Sequence, residues 1–174
     1  PPGNQIRGSV GLGVTHTTLH TPLAQVSSQL KTDRIATMTQ LTHDLIEQLL
    51  AAKGLEESPR LGVAAFNPHA GEQGLFGDEE QQVIQPAVNQ LREAGLDVTG
   101  PLPADTLMVR AADGDFDAVV ALIPGSGLGY YNRGDTYKAM KKYDDKAKKK
   151  KKRKDDGALK TFLETYKKYK TVTK

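Results

Sequence analysis

Leu61-Gly62-Val63-Ala64-Ala65-Phe66-Asn67-Pro68-His69-Ala70-Gly71-Glu72 is an apolar run that breaks into a polar loop around a proline. Its first six residues are uncharged and β-compatible, as expected of a short buried strand. The loop that follows therefore stands at the C-terminal end of a strand, where open α/β sheets bind ligands. Pro68 fixes its own φ and pushes Asn67 toward an extended conformation, which gives the His69 imidazole a defined direction. Gly71 and Gly74 let the backbone turn tightly and approach a ligand closely. Two readings fit the loop: a ligand site, or an ordinary strand-to-helix connection with a surface histidine.

Downstream, Gly77-Asp78-Glu79-Glu80 opens a helix whose apolar set is Val83, Ile84, Ala87, Val88 and Leu91 and which Gly95 closes. An acidic run can form a metal site, but carboxylates in a first turn complement the helix dipole, so these read as capping and solubility residues. Pro86 falls inside the pattern and predicts a kink or break. Leu96 to Thr99 reads as a short strand. The stiff Gly100-Pro101-Leu102-Pro103 loop after it presents Asp105, either as a site carboxylate or as the N-cap of a helix through Met108. Asp115 to Ile123 ends in a continuous apolar run, the pattern of another buried strand.

Upstream, Ile35, Met38, Leu41, Leu45, Ile46, Leu49 and Leu50 recur at spacings of three and four, which predicts an amphipathic helix over 32–50. Thr32 is its expected N-cap and Gly54 its expected stop. His43 is read as a polar-face residue. Before this helix, Thr15-His16-Thr17-Thr18-Leu19-His20-Thr21-Pro22-Leu23 sets two histidines among hydroxyl residues. Neutral imidazole is the commonest protein metal ligand, but His20 gains that role only if His69 comes near it. Strands alternating with helices across short turns predict a three-layer α/β/α fold with a mainly parallel sheet.

The chain has 174 residues, no cysteine and a mean hydropathy of −0.51. Disulfide and thiolate chemistry are excluded, and the expected compartment is cytoplasmic. No apolar run is long enough to predict a membrane span. The net charge of +3 conceals a division: 8 Lys and Arg stand against 16 Asp and Glu through residue 137, and 16 against 5 after it. The organisation this predicts is a loose Gly- and Pro-rich segment at 1–13, an α/β domain at 14–123, and a Gly-rich connector with a basic helical or disordered tail at 124–174. Within that tail, Lys148 to Lys154 is an unbroken basic run. Any nucleic-acid binding is expected there alone, as salt-sensitive contact without sequence specificity. Leu159, Phe162, Leu163 and Tyr166 fall on one helical face.

Taken together, Thr18 to Leu23, Asn67 to Glu72, Gly74 to Gly77, Glu79-Glu80, Pro86-Ala87, Gly100 to Leu107 and Asp117 to Val119, in that order, resemble the 4-hydroxythreonine-4-phosphate dehydrogenase family over about residues 14–122. The resemblance implies part of an isocitrate/isopropylmalate dehydrogenase-like fold. It also implies NAD-dependent oxidation of 4-phosphooxy-L-threonine, or of a 4-phosphothreonate, with loss of carbon dioxide, in pyridoxal phosphate (vitamin B6) biosynthesis. A divalent metal (Zn, Mg or Co) at a homodimer interface is implied as well. By residue match, His20 and His69 are two metal histidines and Asp105 is the catalytic aspartate; Asn67 and Glu72 are further residues that orient the site. The family's third histidine follows the strand ending at Leu122, where this sequence has Ile123-Pro124-Gly125-Ser126-Gly127. Proline offers no side-chain donor. Three readings of the chain follow: the dehydrogenase, an inactive fragment or chimera of its fold, and a binding module acting through the basic tail.

Overall fold

The computed structural model describes residues 8–123, so the calls on residues 1–7 and on the connector and basic tail lie outside the described residues. Within them run β1 (Gly13–His16), α1 (Leu23–Gln29), α2 (Thr32–Ala51), β2 (Arg60–Ala64), α3 (Gln85–Glu93), β3 (Asp97–Leu102), α4 (Ala104–Asp113) and β4 (Ala118–Ala121). The strands form one parallel sheet in the order β1-β4-β2-β3. All four C-terminal ends therefore point the same way.

Alternation along the strands fills two cores. Leu61 and Val63 of β2, with Ala118 and Val120 of β4, pack under α2 and α3 against Ile35, Ile46, Leu50, Ile84, Val88 and Leu91. Ala64 and Val119, on the other face, meet Leu107 and Ala111 of α4 together with Phe116. This period of two is the strand geometry that makes a three-layer α/β/α sandwich from one sheet. The central strands are buried on both faces, which is why they read as unbroken apolar runs.

At the N-terminal side of the sheet, Asp117 is 2% exposed and accepts hydrogen bonds from the Arg60 backbone N–H at 2.9 Å, its Nε at 3.2 Å and its Nη2 at 3.1 Å. The guanidinium raises no net charge in the core because it covers the carboxylate directly.

Four local expectations are corrected. Thr32 is not an N-cap: Lys31 occupies that position with no side-chain cap, and the Thr32 hydroxyl donates instead to Val83 O at 3.1 Å, tying α2 to the segment before α3. His43 is not on a solvated face, since its side chain is only 13% exposed. Gly13, placed in the loose segment at 1–13, belongs with Val14, Thr15 and His16 to a strand whose four residues are too few to show a period. β3 runs on through Gly100 and a cis-bonded Pro101 to Leu102. Proline is tolerated there because β3 is an edge strand.

The expected break at Pro86 is present as a change of helix type. A π-turn at Glu80–Ile84 passes into α3 at Gln85, with Pro86 in its first turn. Proline has no N–H and its ring crowds the carbonyl four residues back, so a wider turn immediately before it relieves both problems.

The β2–β3 register shifts between Gly62 and Ala64, and Gly100 sits against the shift. A Cβ on Gly100 would come within 2.7 Å of Val63 O and 2.8 Å of Val63 Cβ, contacts with backbone-fixed atoms that cannot swing aside. Gly100→Ala is expected to destabilise the fold by about 1–3 kcal/mol through this overpacking, measured by urea denaturation.

Candidate functional site

After β2 the chain makes an uncommon turn. Residues 68–74 form a short 3-10 segment in which His69, Ala70, Gly71, Glu72 and Gln73 have φ of 52°, 57°, 80°, 43° and 59°. This is a left-handed turn, unfavourable for residues with a Cβ because the side chain crowds the following carbonyl. The sequence predicts a tight turn at Gly71 and Gly74; it gives no sign that the handedness extends over His69, Ala70, Glu72 and Gln73.

Two acidic residues beneath the turn account for its persistence. The Glu80 side chain, 4% exposed, accepts hydrogen bonds through Oε1 from the backbone N–H groups of Phe66 at 2.8 Å and Asn67 at 2.7 Å. Its Oε2 accepts one from Asn67 Nδ2 at 2.9 Å. The same amide nitrogen donates to Glu79 Oε2 at 2.7 Å, and Glu79 Oε1 accepts from the Ser27 hydroxyl of α1 at 2.8 Å. Gly71 is required at its place: a Cβ there would lie 2.8 Å from Glu80 Oε2. The reading of Glu79 and Glu80 as capping and solubility residues is thus corrected. Spacing gave no warning, because acidic residues at a helix start have the same pattern whether they face solvent or fold back onto a preceding loop. Of the two residues named as orienting groups, Asn67 does anchor the turn, whereas Glu72 is exposed.

His69 is exposed on the turn. His20, also exposed and left-handed with φ 55°, lies four residues after the end of β1. Its loop is fastened to the end of β4, where the buried Thr18 hydroxyl donates to Leu122 O at 2.7 Å and Thr17 N–H donates to Ala121 O at 2.9 Å. On β1 itself, burial pushes the His16 imidazole below its usual pKa, with a hydrogen bond involving Ile123 acting the other way. Asp105 is in the exposed first turn of α4. Its Oδ1 accepts from the Thr106 N–H at 2.7 Å, and Pro103, not Asp105, holds the N-cap position.

The structure therefore brings His20, His69 and Asp105 to one edge of the sheet, on the segments that follow β1, β2 and β3. It joins none of them to another by a hydrogen bond or ion pair among the described residues. Imidazole is a donor type that suits Zn, Co or another divalent ion. As a complete set His20, His69 and Asp105 do not fit one: among the described residues no group of three His, Asp or Glu side chains is placed to hold a metal.

A parallel sheet covered on both faces, with its candidate side chains at the C-terminal edge, defines an open-sheet α/β protein of the kind that binds ligands at that edge. The family model of the pyridoxal phosphate biosynthetic protein PdxA matches residues 6–124, and the chain belongs to that family. It is 45% identical over 117 residues to a 4-hydroxythreonine-4-phosphate dehydrogenase of Desulforapulum autotrophicum, covering 67% of this chain and 33% of the relative. It is 46% identical over 119 residues to a D-threonate 4-phosphate dehydrogenase of Cupriavidus necator, covering 68% and 34%. The crystal structure of a 4-hydroxythreonine-4-phosphate dehydrogenase from Burkholderia phymatum superimposes with a TM-score of 0.60 at 45% identity, covering 67% of this chain and 34% of that one. The chain spans about a third of the length of the curated relatives it matches.

The Asn67 amide and the Ser27 hydroxyl hold the Glu79 carboxyl below its ordinary value of 4.5, against a burial effect of opposite sign. A carboxyl whose folded pKa is depressed contributes its stabilisation above the unfolded value and loses it as pH falls through the folded one. The unfolding free energy of the protein should exceed that of Glu79→Ala at neutral pH. The gap should close on acidification below about pH 4, as read by denaturant titrations at each pH.

Proposed function

We propose that this chain carries the substrate-side edge of a dehydrogenase that oxidises 4-phosphooxy-L-threonine or a 4-phosphothreonate, with NAD as hydride acceptor, in pyridoxal phosphate biosynthesis. The observation that supports this most directly is the placement of His20, His69 and Asp105 together at the C-terminal edge of the parallel sheet. Both substrates are phosphorylated hydroxy acids, as the names of the relatives state. Oxidation moves a hydride from the carbinol carbon to the nicotinamide and releases the hydroxyl proton, giving a β-keto acid that loses carbon dioxide.

In this reading the chain's own residues do three things. His20 and His69 offer imidazole nitrogens, each on a loop fastened by hydrogen bonds to the sheet or to its helices. Asp105 supplies an exposed carboxylate able to hold or accept a proton. Asn67 and Glu80 keep the His69 turn in one conformation, so that its orientation is set before substrate arrives. His20 and His69 would supply two donors to a divalent ion, and such an ion would offer charge stabilisation to a developing carbonyl oxygen. The described residues do not by themselves complete its ligand set. A homodimer belongs to the same reading, with Asp105 on an exposed first turn available to a partner.

The test is NADH formation from 4-phosphooxy-L-threonine and from D-threonate 4-phosphate, each with NAD and with Zn, Mg or Co. Turnover of one of the two is expected, with His69→Ala abolishing it. Absence of NADH with both substrates and all three metals, from protein with a cooperative unfolding transition, would overturn the assignment.

A further inference from the structure

We infer that Glu79 and Glu80 are positioning residues that act through Asn67: Glu80 fixes the left-handed turn carrying His69, and Glu79 ties that turn to α1 and so to the His20 loop. The inference deepens the dehydrogenase reading and rests on it in one respect, the standing of His20 and His69 as site residues.

Asn67 Nδ2 has two hydrogens, and they are divided between two carboxylates, Glu79 at 2.7 Å and Glu80 at 2.9 Å. The two carboxylates then diverge. Glu80 turns inward and takes both backbone N–H groups at the entrance to the turn. Glu79 turns outward to the Ser27 hydroxyl, 52 residues away in sequence. Ser27 lies on α1, the helix that begins at Leu23, three residues beyond His20. On the same side, the Thr21 hydroxyl donates to Gln29 Oε1 at 3.1 Å, which binds the residue after His20 to the far end of α1. One continuous path therefore runs from His69 through Asn67, Glu79, Ser27 and α1 to Thr21 and His20. It connects two loops that follow strands not adjacent in the sheet, since β4 lies between β1 and β2.

The donor and acceptor pattern makes the two glutamates respond differently to the same replacement. Every partner of Glu80 is an N–H, so both its oxygens must accept. A glutamine there presents an NH2 group to donors in either orientation. Glu79 faces one N–H and one hydroxyl. A hydroxyl can accept as well as donate, so a glutamine at 79 can receive Asn67 on its carbonyl and donate its NH2 to Ser27. The link survives Glu79→Gln and is lost in Glu79→Ala.

The measurement is NMR of the 174-residue protein and its variants, with no metal, substrate or nicotinamide added. It follows the imidazole C–H signals of His20 and His69 and the exchange of the turn amides of Ala70, Leu75 and Phe76. Those amides donate to Asn67 O, Glu72 O and Gly71 O at 3.2, 3.3 and 3.2 Å. Glu80→Gln is expected to speed their exchange about tenfold or more while the Leu61 and Val120 amides of the sheet are unchanged. Glu79→Ala is expected to shift the signals of both histidines, and Glu79→Gln to restore both. Wild-type turn exchange in Glu80→Gln, a Glu79→Ala spectrum in which only His69 moves, or a Glu79→Gln protein that behaves like Glu79→Ala would each overturn the inference. If Glu80→Gln does not fold, Asn67→Ala takes its place: it removes the amide arm and leaves the two backbone bonds to Glu80. The same acceleration is expected, and unchanged exchange overturns the clamp. These signals exist in the unliganded protein, so the inference can fail while the dehydrogenase reading stands, and the reverse.

Discussion

The carboxylate of Glu80, buried under the turn after β2, is the interaction on which the candidate site depends. Four residues with a Cβ, His69, Ala70, Glu72 and Gln73, hold left-handed backbone angles, at about 1–2 kcal/mol each or about 4–8 kcal/mol together. Against this stand three hydrogen bonds into one buried carboxylate, worth about 1.5–3 kcal/mol each or about 5–9 kcal/mol. The two sides balance to within a few kcal/mol. Such a turn persists only where its surroundings over-determine it, and conformations of that kind gather at functional sites.

The sheet supplies the other half of the arrangement. β1, β4, β2 and β3 run parallel, so four connections emerge at one edge with no contribution from their own sequences. Register brings β1 and β2 to the same level on either side of β4, His16 beside Ala121 and Val63 beside Val120. The His20 and His69 loops leave from these strands, and the segment containing Pro124 follows the strand between them. The cores run up to this edge through Leu122 and Phe66 on one face and Leu102 on the other, while Leu19, Leu23, Leu75 and Phe76 on the loops beyond it are exposed. Packing holds the strands in register, while hydrogen bonds from Thr17, Thr18, Asn67, Glu79 and Glu80 hold the loops.

What could be read from the sequence follows this division of labour. Leu61 to Ala64, Ala118 to Ala121 and the apolar stripe of α2 are buried on whole faces, and burial leaves a periodic trace. The α/β class, the helix at 32–50 and the break at Pro86 were legible for that reason. So was the role of His69's loop as a defined turn, because proline and glycine act on their own backbone. Glu80 was not. Its partners are two backbone N–H groups and one amide 13 and 14 residues earlier, and nothing in the composition of a helix start distinguishes a carboxylate that turns back from one that faces water. Thr32 misled for a related reason: a hydroxyl at a helix start is ordinarily a cap that accepts from a backbone N–H, and here Thr32 is already within the helix and its hydroxyl donates to Val83 O. β1 escaped because four residues, two of them Gly13 and His16, show no alternation.

The contrast between the two glutamates bears on how a histidine loop can be both fixed and replaceable. A carboxylate whose partners are all N–H donors has one chemical solution, and neither glutamine nor a shorter acid reproduces it. A carboxylate that meets a hydroxyl has two, since the hydroxyl exchanges donor for acceptor without moving. Glu80, on backbone N–H groups, therefore constrains the turn absolutely, and Gly71 is constrained with it by the 2.8 Å approach of its missing Cβ to Glu80 Oε2. Glu79, on Ser27, constrains only the relation between two loops. The His69 turn thus depends on a buried carboxylate, and the relation between the two histidine loops depends on a softer contact at the surface. That ordering holds the local turn more tightly than the distance between the two loops.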